Sequence, residues 1–288
     1  GSLYSYANVQ QSENHASVSS MHTGAGGLVG SADSLFVLAC VNTGSILGAT
    51  QYDPSDKASG GFGTGGIAGG TGMSFIHESK NTGSIKGHTG VGGIIGSTRI
   101  GSDELLFNNT LVKGSSNEGS VEGQTAVGGI CGESQFGAYM VYNTGSVTAL
   151  GADAHVGGIV GNTSIAVVHN VLNDGVVSAA SSHCAGGVIG KTTWGAVFAC
   201  QNYGNMKVSA DYAGGVIGLA GNYTMVNYCS NLANIHNSGK GPTGGVIGEI
   251  GDPREWSAMD IVGCVLGSVE CVLGVAGPLI AVTGDALK

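Results

Sequence analysis

Charge is what this sequence has least of. Only 10% of its 288 residues are charged, and no run of Lys or Arg occurs. The net charge is −9, from 19 acidic and 10 basic side chains. Nucleic acid and anionic membrane surfaces both need a positive stripe on their partner, so neither is expected here. Aromatic residues are also few, at 6%, which argues against a base-stacking surface. Proline is rare, with 4 copies, and the 55 glycines do not fall at every third position, so collagen is excluded. Disorder is excluded by the 42% of apolar residues, which give the chain enough to bury. The seven cysteines are odd in number and contain no Cys-x-x-Cys, so they form neither a disulfide framework nor a zinc site. No Lys-Ser/Thr follows any glycine cluster at the spacing of a phosphate-binding loop. The chain opens Gly1-Ser2-Leu3, without Met or an apolar leader. A vector-derived remnant and a processed mature end both fit, so secretion is left open.

What is present is a repeat. Gly-Gly, two mostly aliphatic residues and a further Gly recur eight times, starting at Gly26, Gly65, Gly92, Gly128, Gly157, Gly186, Gly214 and Gly244. Successive starts differ by 39, 27, 36, 29, 29, 28 and 30 residues, which gives a base period of about 28–30 with two insertions. A second pattern, Asn-x-Gly-Ser-aliphatic, alternates with the first. It reads Asn42-Thr43-Gly44-Ser45-Ile46, Asn81-Thr82-Gly83-Ser84-Ile85, Asn117-Glu118-Gly119-Ser120-Val121 and Asn143-Thr144-Gly145-Ser146-Val147. Later copies at Asn173, Asn202 and Asn231 drift, and Asn14 heads a worn first copy.

Each unit holds short apolar stretches bounded by Gly or Asn, too short and wrongly spaced for helices. One such unit cannot bury its apolar face alone, whereas stacked units can. The expected fold is therefore all-β: a right-handed parallel β-solenoid of about eight to nine coils, on the order of 40 Å long. Residues 1–250 form the solenoid. Residues 251–288 read as a degenerate terminal coil, because Gly267-Ser268-Val269-Glu270 repeats Gly119-Ser120-Val121-Glu122. The apolar run from Ile261 to Val282 is broken by Glu270, Pro278 and glycines, so membrane insertion is not expected. The Asn residues are expected to stack as an amide ladder. The Gly of Asn-x-Gly is assigned a turn with φ > 0. Leu28, Ile67, Ile94, Ile130, Ile159, Val188, Val216 and Val246 are assigned to the interior. The next residues, Val29 through Ile247, either form an outward apolar stripe or are buried too.

The unit Asn-x-Gly-Ser-Val…Val-Gly-Gly-Ile-Ile-Gly resembles the GLUG repeat, over about Asn14 to Gly248. That repeat occurs in bacterial surface adhesins and in non-catalytic parts of some IgA-cleaving peptidases. The resemblance implies a solenoid on a cell surface and does not imply proteolysis. His77-Glu78 is followed by Ser79-Lys80-Asn81, so the metalloprotease His-Glu-x-x-His is not completed.

Candidate sites are few. No catalytic, cofactor-binding or metal-binding constellation is assigned, and no cofactor is expected. Asp153, His155, His183 and Asp211 fall at similar places on three successive units, where stacking would gather them into a metal or acid/base cluster; a solvated loop is the plainer reading. Cys40, Cys200 and Cys229 each stand two residues before a repeat Asn. Packing as small apolar residues is the favoured reading, with a Cys200–Cys229 disulfide as the alternative. The two insertions offer binding loops, with Tyr52, Asp53 and Asp56 in one and Arg99, Asp103 and Glu104 in the other. Asn108, Asn162 and Asn222 head Asn-x-Ser/Thr sequons and are candidate glycosylation sites in a secretory pathway.

The function expected from these features is a non-enzymatic, extracellular or cell-surface structural or adhesive module that presents loops. Its partners would be host-cell or matrix glycans or proteins. Two alternatives stand beside it: a self-assembling filament or sheath subunit that packs against like subunits, and a glycan-acting β-helix enzyme.

Overall fold

The computed structural model describes residues 6–21, 24–49, 63–98 and 110–251. Among them the chain is all-β, with parallel strands stacked into a solenoid of about seven turns and no helix. The count falls below eight to nine because the first described strand starts at Tyr6 and the last ends at Gly251. The coil expected in residues 251–288 lies almost wholly outside the described residues.

Each turn has three faces. Face A carries the long strands, among them Ala68–His77, Val160–His169 and Ile189–Phe198. Face B is a two-residue strand ending on the repeat Asn, as in Val41–Asn42 and Leu172–Asn173. Face C has two limbs, one after Asn-x-Gly (Ile85–Lys86) and one ending on the first Gly of Gly-Gly (Val91–Gly92). In Val177–Gly186 and Met206–Gly214 both limbs run together as one strand. The sheets contain ten, eight and fourteen strands for faces A, B and C. Register follows the repeat from unit to unit: Asn81 pairs with Asn117, Val91 with Val127 and Ile189 with Ile217. The second insertion interrupts face A without breaking it. Ile95–Ser97 and Thr110–Lys113 both pair with Ala68–His77 on one side and with Cys131–Tyr139 on the other.

The interior is two apolar columns. One lies beneath face A and includes Ile67, Ile94, Ile130, Ile159, Val188 and Val216. The other lies between the limbs of face C and includes Ile85, Val121, Val147 and Val177. Each coil passes between the columns twice, once at Asn-x-Gly and once at Gly-Gly, and these two crossings touch. A Cβ on Gly66, Gly93, Gly129, Gly158 or Gly187 would run into the side chain of Asn81, Asn117, Asn143, Asn173 or Asn202 respectively.

The amide ladder is present. From Asn14 through Asn42, Asn81, Asn117, Asn143, Asn173 and Asn202 to Asn231, each Nδ2 donates to the next Oδ1 at 2.7–2.9 Å. Each Nδ2 also donates to the carbonyl two residues on, at 2.9 Å for Asn143 to Gly145. The six middle members are fully buried. Burial without these bonds would cost several kcal/mol per amide, so the ladder is a condition of the fold and not an ornament.

One expectation needs correction, and one choice left open by the sequence is decided. The Asn-x-Gly glycines do not adopt positive φ; among the described glycines only Gly24, Gly90, Gly114 and Gly195 do. In the middle coils glycine is favoured at Asn-x-Gly by space. A Cβ on Gly83, Gly119, Gly145, Gly175 or Gly204 would strike the backbone carbonyl of the equivalent glycine one coil earlier. Ala16 and Ala233 hold this position in the first and last described units. The choice left open concerns the second aliphatic row, expected either outward or buried. Ala68, Ile95, Cys131, Val160, Ile189 and Ile217 are buried in the same column as the first row. The chain bends at this pair, so both N–H groups reach one carbonyl: Ile67 and Ala68 both donate to Ile94 O. Consecutive residues on a bend can both face inward, which an extended strand forbids.

A further ladder carries no glycine signature. Three residues before each repeat Asn the backbone turns left-handed, at Gln11, Ala39, Glu78, Gly114, Met140, Asn170, Ala199 and Tyr228, with φ between 46° and 59°. Only Gly114 and Asn170 suit that conformation. The next residue supports the corner from inside in most coils. Ser12, Ser79 and Ser115 donate Oγ–H to the carbonyl two residues earlier at 2.8–3.1 Å, and Cys40, Cys200 and Cys229 do so through Sγ at 3.3–3.4 Å.

Two outcomes are expected from equilibrium denaturation. Asn143→Ala removes both ladder bonds of a buried amide and lowers stability by about 3 kcal/mol. Ala199→Gly relieves the left-handed corner and raises stability by about 0.5–1 kcal/mol, whereas Gly145→Ala, at a crowded site, lowers it by about 1–3 kcal/mol.

Candidate functional site

Three outward features follow from this coil. The first is a row on face A, one residue before the left-handed corner. There His77, Lys113, Tyr139, His169 and Phe198 pair in register from coil to coil. Tyr139 stacks on His169 with centroids 5.2 Å apart, and His169 stacks on Phe198 at 5.1 Å. Tyr228 meets Phe198 edge-on at 5.0 Å, and Lys113 Nζ lies 5.7 Å from the Tyr139 ring centre. Ring spacing here matches the coil rise of about 4.8 Å, which is why the rings stack face to face.

The second feature is the polar group beside face C. Stacking brings together three of the four residues expected to meet. His183 Nδ1 lies 3.0 Å from Asp211 Oδ2, and the rings of His155 and His183 are 5.6 Å apart. Asp153 stays exposed in the turn ahead of His155 and joins none of them. Cys184, and not His183, pairs in register with His155, and a register irregularity between Ala179 and Ser182 sets Cys184 opposite Tyr212 on the next coil. Tyr212 closes on His183 edge-first at 5.2 Å. His155 Nδ1 is buried without a hydrogen-bond partner. Burial above all, then the charges of Lys191 and His183, pushes the His155 pKa down to about 4. Among the described residues no group of three or more His, Cys, Asp or Glu is placed to hold a metal ion.

The third feature is the pair Cys200 and Cys229, free thiols at the corner on adjacent coils. They fill the same place as Ser79 and Ser115. The sequence signal was therefore wider than cysteine: any hydroxyl or thiol two residues before the Asn serves the corner.

With the coil in view, a solved counterpart can be given. The chain is similar in structure to a Bacteroides ovatus protein, solved as a candidate immunoglobulin A1 protease, with a TM-score of 0.56 at 17% identity over 79% of this chain and 72% of that one. At that identity the likeness is one of fold alone. In sequence, no family profile and no curated protein matches.

The other sequence-derived sites divide. Tyr52, Asp53, Asp56, Arg99, Asp103, Glu104 and Asn108 lie outside the described residues. Their anchor points do not: the first insertion leaves between the limbs Ile46–Leu47 and Thr64–Gly65 on face C, and the second leaves from the middle of face A. Asn162 is half-buried within the strand Val160–His169, and Asn222 falls in the strand Ile217–Asn227. The aromatic row was missed because its members share no residue type; only counting back from each Asn reveals it.

The buried imidazole has a consequence for pH. The His155 pKa is about 4 in the fold and near 6.5 unfolded, so between these values the unfolded chain holds more protons. Stability is therefore full above pH 6.5 and falls as pH drops toward 4, by on the order of 2 kcal/mol after screening. His155→Asn should flatten that part of a denaturation profile measured from pH 4 to 8.

Proposed function

We propose that this chain is a non-enzymatic, extracellular or cell-surface module of the GLUG-repeat type, a rigid spacer whose outer faces and inserted loops bind host-cell or matrix glycans or proteins. The observation that carries this reading is the row Lys113–Tyr139–His169–Phe198, with Tyr228 at the next corner set edge-on to its last ring, an aromatic and cationic edge on a scaffold held rigid by the amide ladder. Aromatic edges and an exposed Tyr228, at 82%, suit contact with sugars or protein surfaces. The amide ladder supports the same reading, because its polar atoms are committed to holding coils together. The cluster around His183 supplies one acid, and the thiol beside it, Cys184, is pushed up to about 12 by burial, which is little for hydrolysis of a glycan or a peptide.

The test is binding of the purified chain to epithelial cells and to immobilised matrix glycans. Binding that falls about tenfold in a Phe198→Ser/Tyr228→Ser variant supports the reading. Cleavage of immunoglobulin A1 or of a polysaccharide by the purified chain, or binding indifferent to both variant and inserted loops, defeats it.

A second reading rests on the last described coil. Its edge leaves Leu232 and Ile250 exposed at 61% and 60%, as a solenoid end does before something stacks on it. In our reading residues 252–288 supply that cover as a degenerate coil; the filament alternative gives the place to a second copy. Light scattering over a wide concentration range decides between them. A constant monomer mass supports the self-covered spacer, and open-ended growth supports the filament.

A further inference from the structure

The thiols of Cys200 and Cys229 are placed for chemistry that the rest of their ladder cannot do. In the other coils the same position holds Ser12, Cys40, Ser79, Ser115, Val141 and Val171, so nowhere else among the described coils do two thiols stand in succession. Gln201 pairs in register with Ser230, so the cysteines immediately before them are direct neighbours across one coil step. Neighbouring parallel strands are about 4.8 Å apart, inside the 4.4–6.8 Å that Cα atoms span in a disulfide. The two thiols are unequal: Cys200 is fully buried, whereas Cys229 is partly exposed.

We infer that Cys200 and Cys229 form a thiol–disulfide exchange site that takes a low-molecular-weight disulfide, with Cys229 as the attacking sulfur and Cys200 as the resolving one. The Cys229 thiolate attacks one sulfur of the small disulfide. A bond forms from Cys229 to that sulfur, the small disulfide's own S–S bond breaks, and one small thiolate leaves and takes a proton. Cys200 then gives up its proton and attacks the Cys229 sulfur. The protein S–S bond forms and the second small thiol departs. Two protein thiols are oxidised and one small disulfide is reduced to two thiols, with no further reagent.

The electrostatics support this order. The neighbouring Cys200 thiol brings the Cys229 pKa down to about 7 against the opposing effect of burial. The Cys229 thiol and burial push the Cys200 thiol up, so it stays protonated until the mixed disulfide is in place. Cys184 is pushed up to about 12 by burial and is not a competitor. Closing the bond withdraws both thiols from the carbonyls of Phe198 and Asn227, bonds that are weak for sulfur.

The experiment incubates the folded full chain with glutathione disulfide near pH 7.5, blocks remaining thiols with iodoacetamide in acid-quenched denaturant, and maps peptides by mass spectrometry. The wild type should yield the Cys200–Cys229 linked peptide, reversible by dithiothreitol. Cys229 should react at least about tenfold faster than Cys40, the buried thiol at the same ladder position. Cys200→Ser should trap a stable glutathione adduct on Cys229. This variant is expected to fold, since Ser79 and Ser115 fill the equivalent place, and an unchanged circular dichroism melt verifies that. A wild-type chain that keeps glutathione on Cys229 with Cys200 still alkylatable overturns the inference. So does a Cys229 that fails to react until the chain is denatured.

Discussion

The structure depends on one contact: a column of buried asparagine amides against a column of glycines with no side chain. The amides bond along the stack, each to the next coil and to its own turn. They sit at the crossing between two apolar columns, where the opposite crossing must come close. The second Gly of Gly-Gly leaves room for the amide, and in the middle coils the Gly of Asn-x-Gly lets successive turns approach. The two sequence motifs are thus the two sides of one waist. That is why they alternate strictly, and why the chain spends so much of its length on glycine despite its entropic cost.

Around the waist, the left-handed corner decides what reaches solvent. It reverses the chain between faces A and B, and the inward residue after it donates to the carbonyl before it. Serine and cysteine are exchangeable there, because both are small and both carry a donor. The residue before the corner points outward. In-register stacking gives that position a single row, and where rings occupy it they must stack. The outer aromatic row and the inner thiol pair are two results of the same corner.

A solenoid held this way has a passive interior and an addressable surface. The buried asparagine amides are committed to neighbours above and below, so chemistry falls to side chains near corners and loops. The histidine cluster shows the limit of stacking as a way to build a site. Cys184 takes the place beside His155 while His183 lies against Asp211, and a slip of register between Ala179 and Ser182 sets Cys184 opposite Tyr212. The fold likeness to the Bacteroides ovatus chain fits such a scaffold and says nothing of its cargo.

The sequence by itself determined the class of fold, the repeat length, the stacked asparagines and the inner aliphatic row, because each is a periodic property and period survives without coordinates. It also placed Cys200 beside Cys229, since equal distance from the repeat Asn means equal place in the coil. What only the tertiary structure decided was the reason for each residue. Asn-x-Gly reads as a turn and is a steric gap between coils; the second aliphatic row reads as either outward or buried and is buried by a bend; the left-handed corners, occupied by Gln, Ala, Glu, Met and Tyr among others, give no local signal at all. These depend on what lies one coil away, some 26 to 39 residues distant along the chain. A local pattern encodes the preference of a residue for a conformation, whereas packing across coils encodes what the next turn leaves room for.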